Sequence, residues 1–117
     1  IARRDNGEKV PAAFTDIPAK VLDLLSDIQE SLFKRALDFR NKSVQDVENY
    51  EDFKRVLDEK GGFVRAHWDG STETEKLIKE ETKATIRCIP INNPKEDGKC
   101  VRTGKPSSQR VLFARAY

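Results

Sequence analysis

The spacing of apolar positions divides the chain into one long helix followed by shorter alternating elements. Val21, Leu25, Ile28, Leu32 and Ala36 recur at steps of three and four, and Leu24, Phe33 and Leu37 widen the stripe. Asp23, Asp27, Glu30, Lys34, Arg35 and Asp38 fall between them. This pattern predicts an amphipathic helix over roughly 17–41. Asp16 is expected to cap its free amides, and Pro18 suits a first turn where the missing N–H has no partner. At 1.5 Å per residue such a rod is about 35 Å long. That exceeds what a small domain needs, so the helix is expected to lean on a neighbour or to span between two.

Shorter periods follow. Asn49 offers an N-cap with Asp52 three residues on, and Tyr50, Phe53, Val56 and Leu57 give a second helix its apolar face. Gly61-Gly62 ends that helix. Phe63, Val64, Ala66 and Trp68 read as a strand, and Asp69-Gly70 as a turn. Thr72 with Glu75 signals a third helix reaching about Lys83, held by Leu77 and Ile78. Residues 84–89 alternate and stop at Pro90, as a strand does. Residues 91–109 are rich in Asn, Pro, Gly and Ser and predict a long loop, with a short strand at Lys99-Cys100-Val101. Val111 to Ala114 form the last strand. The helix between the first two strands predicts that they pair in parallel through a right-handed crossover. The expected fold class is α+β, a long N-terminal helix leading into a small domain with helices packed on a mixed sheet.

Composition narrows the function classes. The 117 residues are 36% charged and 37% hydrophobic, so much of the chain is expected to be solvated surface. Lys and Arg number 22 against 20 for Asp and Glu, and a net charge of +2 does not mark a polyanion binder. Neither a membrane-length apolar run nor a signal peptide is present. Two cysteines, Cys88 and Cys100, make no disulfide framework and predict a reducing, cytoplasmic compartment. A chain that starts at Ile1 and holds no methionine is expected to be a piece of something larger.

The candidate chemistry is sparse. Gly98 and Gly104-Lys105 have the wrong spacing for a phosphate loop, and Pro106 stands where a magnesium-binding hydroxyl belongs. His67, Asp69, Cys88 and Cys100 are the only sensible metal ligands. Asp69 reads better as a turn residue, Cys88 as a small apolar strand residue, and His67 as a strand residue with one face wet. With a single histidine, and no glycine elbow around Ser71, Ser107 or Ser108, nucleophilic catalysis lacks its base. The carboxylates lie where helix surfaces need charge. Lys99, Arg102, Lys105 and Arg110 form a basic cluster, with Arg3-Arg4 and Arg40-Lys42 adding local charge. This suits phosphate contacts and equally suits ordinary soluble surface. Trp68 fits either base stacking or a plug in the core.

Three stretches carry a resemblance. Gly61-Gly62-Phe63-Val64-Arg65-Ala66-His67-Trp68-Asp69-Gly70 precedes Glu80-Glu81-Thr82-Lys83-Ala84-Thr85-Ile86-Arg87-Cys88-Ile89-Pro90, and the chain closes with Thr103-Gly104-Lys105-Pro106-Ser107-Ser108-Gln109-Arg110-Val111-Leu112-Phe113-Ala114-Arg115-Ala116-Tyr117. Together they resemble the C-terminal end of a prolyl-tRNA synthetase of the archaeal/eukaryote-like type, a class II aminoacyl-tRNA synthetase, over essentially the whole chain. The resemblance implies residues 1–9 as the tail of an anticodon-binding domain, 10–42 as a connector helix and 43–117 as a C-terminal α+β domain. It implies a parent enzyme that activates proline with ATP and Mg2+ and transfers it to tRNA(Pro), working as a cytoplasmic homodimer. The catalytic domain lies elsewhere, so no catalytic residue carries over.

The family's C-terminal domain often holds zinc through four cysteines in two close pairs. The equivalent positions here are Asp69, Thr74, Cys100 and Thr103, of which one is a cysteine; Cys88 is not among them. The resemblance therefore implies a degenerate site and a domain that folds without metal. In some members the final tyrosine reaches back toward the active site, and Tyr117 stands at the matching place. The leading expectation is a structural and docking domain in contact with the rest of the synthetase chain. The alternative is an RNA-binding accessory module that contacts tRNA through the basic loop 99–110.

Overall fold

The computed structural model describes residues 1–116, which divide into two compact units, Ile1–Asn41 and the remainder from Lys42 onward. In the first unit the chain doubles back through an antiparallel bridge between Ala2 and Lys9. Gly7, at a positive φ of 78°, closes this turn by donating its N–H to the Arg3 carbonyl. The Arg3 guanidinium pairs with Asp5 and Asp27. These partners hold Arg3 firmly protonated, the Asp5 hydrogen bond having the largest effect. A 3-10 turn at Phe14–Asp16 leads into α1, Ile17–Lys42. Asp16 is thus part of this turn, its carboxylate accepting from the Thr15 hydroxyl, and does not take the capping role expected of it. No residue of α1 is buried.

The second unit is α+β. Its elements are β1 (Val44–Asp46), α2 (Tyr50–Glu59), β2 (Phe63–His67), α3 (Thr72–Thr82), β3 (Ala84–Cys88), β4 (Gly98–Lys99), β5 (Pro106–Ser107) and β6 (Arg110–Arg115). The main sheet has the order β1-β2-β6-β3, and β4 and β5 form a separate small ribbon. β1 pairs with β2 in parallel, so α2 is the crossover of a parallel pair. β2 and β3 both pair antiparallel to β6. They therefore run in the same direction, but β6 lies between them, which corrects the expected direct pairing. Local periodicity predicts β2, β3 and β6 but not β1, and the insertion of β6 depends on contacts made by the end of the chain.

Local signals account for most boundaries. Asn49 caps α2 as expected, accepting from the Asp52 amide at 2.9 Å. Ser71, not Thr72, caps α3, its hydroxyl oxygen accepting from the Thr74 amide. Gly62 is required twice: its φ is 76°, and a Cβ there would lie 2.7 Å from the Ser43 carbonyl oxygen. That same carbonyl accepts from the Phe63 amide where β2 begins.

The core forms between the two helices and one sheet face. Phe53 and Leu57 of α2 and Ile78 of α3 meet Val64, Ala66, Ala84, Val111 and Phe113 in one cluster. Phe53 and Phe113 pack edge to face with ring centres 5.1 Å apart. Complete burial of each large apolar side chain contributes about 1.5–3 kcal/mol. Trp68 borders this core and donates its indole N–H to the Ser71 carbonyl at 3.1 Å.

Candidate functional site

At the end of β2 the chain gathers three hydroxyl and amide donors around one carboxylate. Asp69 Oδ2 accepts from Thr74 Oγ1 at 2.9 Å and from Thr103 Oγ1 at 2.8 Å, while Oδ1 accepts from the Ser71 amide at 3.1 Å. Partial burial pushes the Asp69 carboxyl up. The bonds from Thr103, Ser71 and Thr74, with Lys105 nearby, outweigh it and hold the group below the usual carboxylate range. Cys100 is buried at the start of the turn that carries Thr103. Its amide donates to the Lys105 carbonyl at 2.8 Å and its carbonyl accepts from the Gly104 amide at 2.9 Å.

Of the four positions that the resemblance equates with the family's zinc ligands, the structure brings Thr74 and Thr103 onto Asp69. They do not fit zinc. One carboxylate, two neutral hydroxyls and one thiol are a poor tetrahedral donor set, and both carboxylate oxygens already accept hydrogen bonds. No group of three His, Cys, Asp or Glu side chains among the described residues could hold a metal ion. Cys88 is exposed at the end of β3 and is not the packed apolar side chain that its alternation predicts.

A second polar cluster occupies the opposite sheet face, where His67 of β2 lies across from Arg110 of β6. His67 is 3% exposed, in contrast to the wet face expected of it. Gly98 covers its ring so closely that a Cβ there would collide with the imidazole. Ser107 Oγ lies 3.1 Å from Nδ1, and Glu96 Oε1 lies 3.7 Å from Nε2. A serine, a histidine and a glutamate in line suggest a hydrolytic triad, but the polarity is wrong. The hydroxyl proton of Ser107 goes to the Trp68 carbonyl at 2.7 Å or that of Gln109 at 2.9 Å. Its remaining lone pair must therefore accept from Nδ1–H, so the histidine donates to the serine instead of activating it. Glu96 is the residue sequence reading missed, since nothing local marks it.

The four basic candidates have different fates. Arg110 is buried and fixed by Glu96 through two bonds of 3.0 Å, by Glu48 at 2.5 Å and by the Val47 carbonyl at 3.4 Å. The bond to Arg110 holds the Glu96 carboxyl below its ordinary range. Arg102 makes a bidentate pair with Glu81 at 2.7 and 3.0 Å and lies over the Tyr50 ring, whose hydroxyl donates to the same Glu81. Burial and that acidic partner push the Tyr50 hydroxyl well above its usual range. Lys99 and Lys105 are exposed. At the far end of β6, Arg115 donates to the carbonyls of Leu57 and Thr82 and pairs with Asp58, tying the C-terminal ends of α2 and α3 to the sheet. Tyr117 lies outside the described residues.

These clusters hold elements together; among the described residues none pairs a free nucleophile with a base. What they define is a small α+β domain whose polar clusters tie its own helices and strands together. Residues 50–117 match the family described as prolyl-tRNA synthetase, C-terminal, and the chain belongs to that family. It is 56% identical to the proline–tRNA ligase of Flavobacterium johnsoniae, 54% to that of Porphyromonas gingivalis and 51% to that of Cytophaga hutchinsonii. Each alignment covers 100% of this chain and 24% of the relative, so the chain spans about a quarter of the length of these ligases.

Proposed function

We propose that the chain is the C-terminal structural and docking domain of a prolyl-tRNA synthetase of the archaeal/eukaryote-like type. The full enzyme joins proline to tRNA(Pro) with ATP and Mg2+ through prolyl-adenylate, as a cytoplasmic homodimer. The matched family supports this reading, and one observation carries the structural role. The node around Asp69 and the ion pairs of Arg102, Arg110 and Arg115 all connect elements of the domain to one another. Among the described residues no helix is long and apolar enough to cross a membrane. On this reading the chain binds no ATP or zinc itself, and Tyr117 is the candidate to reach back toward the active site.

Removing residues 43–117 from the full-length enzyme tests the proposal. Aminoacylation and thermal stability of the remaining domains are expected to fall together; unchanged values of both would overturn it. An RNA contact through 99–110 would rest on Lys99 and Lys105, because Arg102 and Arg110 are engaged within the domain.

A further inference from the structure

The turn near the start of the first unit carries a chemically reactive pair. Asn6 precedes Gly7, and both are exposed. An asparagine side chain is open to attack at Cγ by the backbone nitrogen of the next residue, so the reaction depends on how freely that residue can approach. Gly7 has no side chain in the way, and even a Cβ built on it would meet nothing within 4 Å. Asn6 Oδ1 accepts from the Glu8 amide at 3.0 Å, which draws electron density from Cγ, and Nδ2 donates to Glu8 Oε2 at 3.4 Å. One bond opposes attack, from the Gly7 N–H to the Arg3 carbonyl at 3.1 Å. A single bond at an exposed turn opens locally at little cost. The other asparagines are guarded. Asn41 and the Lys42 nitrogen lie within α1. Asn49 is committed to capping α2. Asn92 precedes Asn93, whose amide donates to the Pro90 carbonyl and whose side chain is pinned to the Arg110 carbonyl. Asn93 in turn precedes Pro94, which has no N–H to lose.

We infer that Asn6 is a site of spontaneous deamidation, with water as the only co-reactant. The Gly7 amide gives its proton to solvent, and its nitrogen bonds to Asn6 Cγ. The Cγ–Nδ2 bond then breaks and ammonia leaves, its added proton supplied by solvent, and a cyclic imide joins residues 6 and 7. Water opens that ring at either carbonyl. One opening gives aspartate on the original chain path, and the other gives isoaspartate, in which the chain runs through the side chain. The net change consumes one water and releases one ammonia. Either product puts a carboxylate where Nδ2 donated to Glu8, so an attraction becomes a like-charge repulsion. Isoaspartate also lengthens the backbone by a methylene inside the ladder that Arg3 N–H to the Glu8 carbonyl (2.8 Å) and Val10 N–H to the Ile1 carbonyl (2.9 Å) hold in register. Deamidation at Asn6 therefore loosens this hairpin as the protein ages.

Peptide mapping by mass spectrometry tests this on the full-length enzyme, stored in mildly alkaline buffer. Asn6 is expected to convert several-fold faster than Asn41, Asn49 or Asn92, giving separable aspartyl and isoaspartyl peptides. Asn6→Gln should show no conversion at this position, because its longer side chain closes an imide far more slowly. Amide hydrogen exchange at Arg3 and Val10 should be faster in the converted enzyme than in fresh enzyme. Conversion at Asn6 no faster than at the other three asparagines would overturn the assignment. Conversion at Asn6 only after unfolding in urea would overturn it equally, since the Gly7–Arg3 bond would then protect the folded turn. Unchanged exchange in converted enzyme would overturn the loosening of the hairpin. None of these readouts uses aminoacylation, so their outcome is independent of the proposed function.

Discussion

The two units treat their apolar residues in opposite ways. In the unit from Lys42 onward, Phe53, Ile78, Val64, Val111 and Phe113 are completely enclosed. By contrast α1, which makes up most of Ile1–Asn41, buries none of its residues. One unit has found its partners within itself and the other has not. A helix is stabilised mostly by tertiary burial of its apolar face, so α1 depends on what covers it, whereas the sheet domain carries its own stability. The contrast should be sharp under substitution. Phe113→Ala removes a ring enclosed against Phe53 and should cost about 3–5 kcal/mol in denaturant unfolding followed by Trp68 fluorescence. Leu32→Ala in this 117-residue chain should change stability by no more than about 0.5 kcal/mol. Equal effects would erase the distinction.

The ion pairs come next in size. Arg110 is buried while Glu48 and Glu96 are largely exposed, so solvent screens its partners and limits what the cluster contributes. Arg110→Met should cost about 2 kcal/mol by equilibrium unfolding, through the hydrogen bonds lost to two carboxylates and the Val47 carbonyl. A neutral outcome would mean that apolar contact replaces the pairs fully.

How much of this was legible along the chain depended on the range of the interaction. Asn49 and Asp52 are three residues apart, and their cap reads directly from sequence. The α3 cap misses by one residue, because Ser71 and Thr72 offer the same chemistry and the Asp69 turn decides between them. β1 is three residues without alternation and gives no periodic signal. Arg110 shows the limit most clearly: its partner Glu48 is 62 residues away, so a residue that reads as part of a basic cluster is an internal tie. The Asp69 node was located only by resemblance, since a carboxylate and two threonines separated by 5 and 34 residues form no local pattern.

That node gives the pH dependence. Asp46, Asp69, Glu81 and Glu96 are all held below their ordinary ranges, by bonds from Arg65, Thr103, Arg102 and Arg110 respectively, with burial opposing and, at Asp69, largest. A carboxyl lowered in the folded state contributes stability that is complete above its unfolded value near 4 and is lost as pH falls through the folded value. Acid unfolding should therefore begin below about pH 4. Asp69→Asn should lower stability at neutral pH by about 1–2 kcal/mol, leaving hydroxyl donors facing an amide, and should flatten the acid limb. An unchanged acid limb would mean that the other lowered carboxyls, Asp5 and Glu73 among them, carry it without Asp69.

The smallest effect belongs to the part of the second unit that is as open as α1. Lys99 and Lys105 are exposed, and Lys105 acts on Asp69 only through its charge. Replacing both with glutamate should leave stability within about 0.5 kcal/mol of the parent chain. The pair thus probes RNA contact without disturbing the fold, which Arg110→Glu could not do. If the loop 99–110 touched phosphate, each lysine lost would reduce the salt dependence of tRNA binding by about one unit of slope. A docking domain that leaves recognition to its neighbours predicts no change in that slope for the full-length double variant. A reduced slope with the stability intact would transfer these two lysines, and the face they occupy, from the solvated surface to the tRNA interface.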